Sequence, residues 1–412
     1  MSALDNRLYW IWLQQALGAG SPKADPLLRV MGSPARVWEA DDAALRDVGF
    51  HAAERKRLGR KSLEPAAAIL KAALRDNGWV LTPDDALYPD ALREIFALPL
   101  VLYGKGECPR VDERPTLAMV GTRKPTEYGR RMAWYLAAGV AAAGMTVVSG
   151  GAVGIDAAAH QGALDAGGVT IAVQACGLDV NYPDANAPLR QQILQQGGAL
   201  ISEYPPGTTV QRHTFQARNR LISGLAQATC IVEAPIPSGS LITATHAREQ
   251  GRDVMALPGP AGLGAYAGSH ALIQKGAYLV GSPADILRQY RDRFGDLLKP
   301  EEADKVPAPR WQPPQPQGQL QPRHAAQPPR REPRFKKHKE APPATSPEVC
   351  TTCPEGASEN GRRMFAVLQE QPRPVDWLAA KAELSPARAM AVLTELEILG
   401  GARCHAGQQY SR

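Results

Sequence analysis

No run of about 18 apolar residues occurs in the 412-residue chain, which excludes a transmembrane helix. The opening Met1-Ser-Ala-Leu-Asp-Asn-Arg7 lacks the basic-then-apolar form of a signal peptide, so the cytoplasm is the expected compartment. Aromatic residues are few, at 6%, within an ordinary apolar content of 44%. That balance suits a soluble globular chain of two or three domains with some disordered sequence. Cysteines are sparse and scattered, at 108, 176, 230, 350, 353 and 404. Cys176 and Cys230 lie in apolar strand-like sequence, where a thiol acts as a small hydrophobe. Cys350 and Cys353 have zinc-ligand spacing, but only the adjacent Cys404-His405 would complete a site, whereas structural sites use two spaced pairs. No metal and no cofactor are expected.

The formal net charge of +6 is local. Residues 299–340 carry ten Lys or Arg against five Asp or Glu, residues 359–412 carry seven against six, and the sequence before 299 is near balance. The excess therefore says little about the folded core. One cluster does stand out. From Tyr204 to Val232 there is no acidic residue, and the run holds Arg212, His213, Phe215, Arg218, Asn219 and Arg220 between apolar strand-like segments at 198–202 and 229–233. Read as a loop, it offers three guanidinium groups for phosphates and one ring for stacking a base, as single-stranded nucleic acid requires. Taken alone, the string also fits a solvated loop that caps a following helix, and its neighbours decide between the two.

Residues 1–78 read as a small helical domain, with a broad apolar stripe over 7–17 that ends at Gly18-Ala-Gly20, and short helices near 34–40, 42–48, 52–59 and 65–77. Such a module can bind DNA backbone through turn amides or serve for packing and adaptor contacts; its mixed charges favour the second. Residues 79–295 alternate strands at 116–120, 146–149, 170–173, 199–202, 229–233 and 253–257 with helices near 128–143, 156–166, 187–196, 240–250 and 269–275. The alternation predicts an α/β core, a mostly parallel sheet with helices on both faces and ligands at the carboxyl ends of its strands. Residues 296–358 hold thirteen prolines up to Pro347 and a basic stretch at 330–339, and read as a disordered linker. Residues 359–412 read as three helices and a hairpin, the winged-helix pattern. The third helix mixes Arg388 with Glu395 and Glu397, which favours partner or self-association over DNA reading.

Three glycine-bearing turns fall at the carboxyl ends of predicted strands. Val120-Gly-Thr-Arg123 lets backbone amides approach a phosphate while Arg123 supplies charge. Ser149-Gly-Gly-Ala-Val-Gly-Ile-Asp156 is a second such turn; Asp156 caps or begins the next helix, and His160 packs or orients the loop. Ser238-Gly-Ser240 opens a third helix with hydroxyls and amides suited to an anion. Together with the Arg-Phe-Arg run, these turns point at one edge of one sheet.

These strings, with Gly177-Leu-Asp-Val-Asn-Tyr-Pro183, Ser202-Glu-Tyr-Pro-Pro206, Arg218-Asn-Arg-Leu-Ile-Ser-Gly-Leu225, Val232-Glu-Ala234, Ser238-Gly-Ser-Leu-Ile-Thr-Ala244, Gly251-Arg-Asp-Val-Met-Ala-Leu-Pro-Gly259 and Gly268-Ser-His-Ala-Leu-Ile-Gln-Lys-Gly-Ala277, stand in the order of the DprA/Smf family, which the chain resembles over about residues 80–290. The resemblance implies an extended Rossmann-like core that dimerises, flanked by a small helical domain (SAM or helix-hairpin-helix-like) and a winged-helix-like domain. It also implies a non-catalytic protein of natural transformation that binds and protects incoming single-stranded DNA and helps load a RecA-type recombinase. On matching motifs, Arg123 resembles the family's phosphate-contacting arginine. Arg212 and Phe215 resemble its basic residue and base-stacking aromatic, and Gly150 and Ser240 lie in loops lining the same pocket. The candidate nucleic-acid ligands are thus Gly121, Thr122, Arg123, Ser149, Gly150, Gly151, Arg212, Phe215, Arg218, Asn219, Arg220, Ser238, Gly239, Ser240 and Thr243. Gln174-Ala-Cys176 departs from the glycine-rich approach expected before Gly177, and His270 stands where the family usually has Asn.

The rival class is a nucleotide phosphoribohydrolase on a similar fold. It needs a glutamate near its glycine-rich turn, yet the Ser238–Ala244 turn meets no carboxylate until Glu249, and neither Glu203 nor Glu233 has a paired acid, metal cluster or nucleophile beside it. A dehydrogenase is disfavoured because no G-x-G-x-x-G follows the first strand.

Overall fold

Glycine, proline and cap residues cut the first 74 residues into short helices. In a computed structural model, which describes residues 3–309, 353–354, 358–384, 386–398, 401–405 and 409–412, these are α1 (Ala3–Leu17), α2 (Ala24–Met31), α3 (Pro34–Glu39), α4 (Asp42–Asp47), α5 (Ala52–Leu58) and α6 (Glu64–Ala73). Ser33 and Asp41 accept hydrogen bonds from the first-turn amides of α3 and α4, which fixes where each begins. The module does not close on itself. Trp10, Ile11, Leu13, Leu27 and Leu58 share one core with Val80 and Tyr103, residues of the next two strands, β1 (Gly78–Leu81) and β2 (Leu102–Gly106), which flank α7 (Asp90–Arg93).

The chain then alternates as the periodicity predicts: β3 (Thr116–Val120), α8 (Glu127–Ala142), β4 (Thr146–Ser149), α9 (Ile155–Asp165), β5 (Thr170–Gln174), α10 (Ala187–Gln195), β6 (Ala199–Ser202), α11 (Arg212–Gly224), β7 (Ala228–Ile231), α12 (Gly239–Glu249), β8 (Asp253–Ala256), α13 (Ala267–Gln274), β9 (Tyr278–Leu279), α14 (Pro283–Phe294) and α15 (Pro300–Ala303). All nine strands form one sheet in the order β1-β2-β6-β5-β4-β3-β7-β8-β9. Pairing is parallel from β6 across to β9 and antiparallel at β1–β2 and β2–β6. The inner strands are buried on both faces, so their alternating side chains feed two cores. Leu117, Met119, Val147 and Cys230 pack with α8, α9 and α14 on one face. Ala118, Val120, Val148 and Ile231 pack with α11 and α12 on the other. Cys230 is an apolar filler here, its thiol pushed up to about 12 by burial.

Three expectations are corrected. Strands β1, β2 and β9 extend the sheet beyond the six read from sequence; β1 and β9 are its two edges, and β2 pairs on both sides, with β1 and β6. The Arg-rich run is not a loop. Residues 212–224 form α11, because Gln211 and Thr214 build a reciprocal cap and Leu221 and Ile222 bury against the sheet. The core also continues past 295: Leu298 and Ala303 are buried with α8, and the Lys299 amide donates to the Ala143 carbonyl at 2.9 Å.

A second unit holds α16 (Glu359–Val367), β10 (Arg373–Pro374), α17 (Val375–Lys381), α18 (Pro386–Ile398), β11 (Arg403–His405) and β12 (Gln409–Ser411), with a sheet ordered β10-β12-β11. Met364, Leu378, Leu393, Leu396 and Tyr410 form its core, the arrangement of a winged helix. Glu395 is engaged in capping, accepting from the Ser358 amide at 2.6 Å and hydroxyl at 2.9 Å. Most of the expected linker, the basic stretch 330–339 and Cys350 lie outside the described residues. Among the described residues no group of His, Cys, Asp and Glu is arranged to hold a metal, and no helix is long and apolar enough to cross a membrane.

Candidate nucleic-acid interface

Strand order places the site. From β3 the sheet grows one way through β4, β5 and β6, and the other way through β7 and β8. The loops after β3 and β7 therefore diverge and leave a crevice at their carboxyl ends, where open α/β sheets bind ligands. A cleft of about 350 Å³ opens there, lined by Gly121, Thr122, Arg123, Ala152, Asp156, Phe215, Gln216, Arg218, Asn219, Ser238, Gly239, Ser240 and Thr243 among others. Ten of the fifteen residues expected from sequence meet in this one cavity.

The loop carrying Arg123 is held from below. The Thr122 amide donates to the Glu233 carbonyl at 2.8 Å, and the Ile155 amide donates to the Thr122 carbonyl at 3.2 Å. Thr126 caps α8, and the buried Glu233 carboxylate accepts from the Thr126 hydroxyl and from the Tyr266 hydroxyl, each at 2.7 Å. Gly154 closes the second turn with φ +92°, and a Cβ there would sit 2.5 Å from the Thr122 carbonyl oxygen, so only glycine lets α9 begin against this loop. Arg123 and Lys124 are left exposed.

Arg123 and Phe215 come from elements 92 residues apart, yet the guanidinium carbon lies 4.7 Å from the ring centroid. Tyr182 stands on the ring's flank at 5.7 Å, tilted by 55°. Sequence reasoning did not select Tyr182, although it lies inside the Gly177–Pro183 string. Arg212 is exposed at the start of α11, one turn before Phe215 and so on the same side of the helix, outside the cleft lining. On the far wall the Asn219 amide donates to the Gly239 carbonyl at 3.3 Å, tying α11 to the third turn. Ser238 caps α12 with its hydroxyl 2.8 Å from that of Ser240.

The other arginines of α11 differ from the expectation. Arg218 is buried and donates to the Gly150 and Val173 carbonyls, with the Gly150 bond at 2.7 Å; only its edge reaches the cleft. Asp156 faces it and accepts from the Gly150 amide at 3.1 Å and the Ala152 amide at 3.4 Å. Burial raises the Asp156 pKa, against the opposing pull of Arg218 and those amides. Arg220 is no part of the cleft. It is buried in an ion pair with Glu203, at 2.8 and 2.7 Å from the two carboxylate oxygens. Glu203 also accepts from the Gly20 amide at 2.8 Å, so the pair ties α11 to the helical module. Ser149 is buried and spends its hydroxyl on the Met119 carbonyl at 2.6 Å. Gly151 turns with φ +65° and presents its carbonyl to Asn186. These two, like Gly150, shape the turn, and none lines the cleft.

Both questioned histidines have partners. His160 is buried with Nδ1 2.7 Å from the Thr170 hydroxyl, and burial lowers its pKa to about 3. His270 Nε2 lies 3.2 Å from the Gly259 nitrogen and 3.1 Å from its carbonyl oxygen.

Comparison with known proteins agrees with this architecture. Residues 79–291 match the family described as DNA recombination-mediator protein A, and residues 340–408 match the DprA winged helix domain. Protein Smf of Synechocystis is 34% identical over 422 residues, covering all of both chains. The putative DNA processing protein DprA of Mycobacterium tuberculosis is 39% identical over 305 residues, 71% of this chain and 77% of that one. The crystal structure of DNA processing protein A from Streptococcus pneumoniae superposes with a TM-score of 0.58 at 35% identity, covering 68% of this chain and 97% of that one. With its α/β core and its carboxyl-terminal region both matched, the chain belongs to the DNA recombination-mediator protein A family, the DprA/Smf proteins.

Proposed function

We propose that the chain binds single-stranded DNA across the cleft between the β3–α8 loop, α11 and the start of α12, shields it, and passes it to a RecA-type recombinase. It does so as a homodimer, in natural transformation and homologous recombination, and without breaking bonds. The observation that carries this reading is the Arg123 guanidinium held 4.7 Å from the Phe215 ring on an exposed loop. A fixed charge for a phosphate beside a ring for a base is the pair that strand binding uses. The hydroxyls of Ser238 and Ser240 add neutral donors on the opposite wall.

A phosphoribohydrolase would need a carboxylate free to act on a bound nucleotide. Asp156 is committed to two backbone amides and faces Arg218, Glu203 is paired with Arg220, and Glu233 is held by Thr126 and Tyr266. Each acid near this sheet edge has a structural duty, which favours binding over catalysis.

The test is fluorescence anisotropy of a labelled oligothymidine against the same-length duplex over a salt series. Tight, salt-sensitive preference for the single strand is expected. Phe215→Ala should lose about 1–3 kcal/mol of binding, the worth of a stacked base. Arg123→Ala should reduce the slope of log affinity against log salt by about 0.7, one phosphate contact. Equal affinity for duplex, or wild-type binding by both variants, would refute the assignment. Release of free base from nucleoside monophosphates would favour the enzyme.

A further inference from the structure

We infer that the strand bound at Arg123 continues into a second subsite, a groove of about 1020 Å³ between α8, α9 and α10. This inference rests on the single-strand reading of the first cleft and extends it. The two cavities share Arg123 as a lining residue, so they adjoin at that side chain. The groove has a floor of small residues, Gly154, Ala157 and Ala158, and a basic rim made by Arg130 and Arg131. Their side chains are 62% and 52% exposed and share one carboxylate, Glu127. The pair thus keeps one net positive charge, Arg123 adds a second, and the Asp165 carboxylate beside Trp134 offsets one of the two.

Trp134 supplies the aromatic component. It lines the groove half-buried, and its indole Nε1–H donates to the Asp165 carboxylate at 2.7 Å. That bond holds the ring in place, so stacking a base on it costs little further side-chain entropy. Cations beside an anchored ring repeat the chemistry of Arg123 and Phe215. Continuity with the cleft and the positive rim identify the occupant as the next nucleotides of the same single strand.

The experiment measures affinity for oligothymidines spanning about 4 to 16 nucleotides, the range of single-strand site sizes. Full-length wild-type protein is compared with Trp134→Ala and with the Arg130→Gln, Arg131→Gln double variant, whose exposed side chains can change without disturbing the core. Short oligomers, which fill only the first cleft, should bind all three proteins alike. Long oligomers should bind Trp134→Ala roughly 5- to 150-fold more weakly than wild type. The double variant should lose up to about 1.4 in salt slope on long oligomers only, two contacts at about 0.7 each. Wild-type behaviour of both variants at every length would overturn the groove while leaving the first cleft intact. Failure of wild-type protein to bind even the short oligomers would instead sink the reading on which it rests. If a poly-glutamate probe binds and the double variant loses that binding while oligothymidine affinity stays unchanged, the groove belongs to an acidic peptide and the proposal falls.

Discussion

Arg220 separates the sequence expectation from the tertiary structure, because one reading makes it a phosphate ligand and the other a structural pin. Its side chain is 6% exposed and that of its partner Glu203 is 1% exposed. In Arg220→Ala, Glu203 keeps the Gly20 amide at 2.8 Å but loses the guanidinium that offsets its buried charge. Removing one partner of a buried ion pair costs about 3–5 kcal/mol, a large share of the roughly 5–15 kcal/mol that holds a domain folded. Replacing both, as Glu203→Leu with Arg220→Met, removes the uncompensated charge and leaves mainly an unpaired Gly20 amide, at about 1–3 kcal/mol. The double variant should therefore be the more stable of the two. Urea unfolding followed by circular dichroism measures both, and oligothymidine binding is measured on the folded fraction. The expected result is a lower midpoint for Arg220→Ala with an unchanged salt slope. A variant of near wild-type stability with weakened binding and a flattened salt slope would refute the reasoning and return Arg220 to the phosphate ligands.

His160 gives a pH prediction. Its folded pKa of about 3 lies below the unfolded value of 6.5, so between them the unfolded chain binds the extra proton. Its neutral burial is tolerated in full above about pH 6.5, and stability falls as pH drops toward 3, by about 1.4 kcal/mol per pH unit, or roughly 2 kcal/mol at pH 5. His160→Asn should remove that part of the slope in urea midpoints taken from pH 7 to 5; an identical slope in the variant would rule the histidine out. Gly150→Ala puts a Cβ 2.7 Å from the Asp156 carboxylate and 2.8 Å from the Arg218 guanidinium, both buried and engaged. A loss of about 1–3 kcal/mol is expected by thermal unfolding, and an unchanged melting temperature would show that the turn relaxes freely.

Some features were local enough to be read from the chain alone. The short apolar runs of β3 to β8, the glycine turns after β3 and β4, and the serine turn after β7 depend on neighbours a few residues away, so the α/β core and ten of the cleft residues were legible. Helix phase was not. Arg218 and Arg220 sit two positions apart on α11, nearly opposite each other around the helix, and burial of Leu221 and Ile222 turns Arg220 toward Glu203. Its counterion lies 17 residues upstream at the end of β6, a partner that spacing cannot reveal. The same holds for Tyr182 beside Phe215 and for Trp134 facing the groove that Arg123 shares. An acid-free run announces positive charge, but which of its arginines meets water is settled by the carboxylates and carbonyls that other elements bring to it. The sequence by itself determined the chemistry available at the sheet edge; strand order and helix phase decided which groups face the cleft, because burial and pairing energies depend on residues distant in the chain.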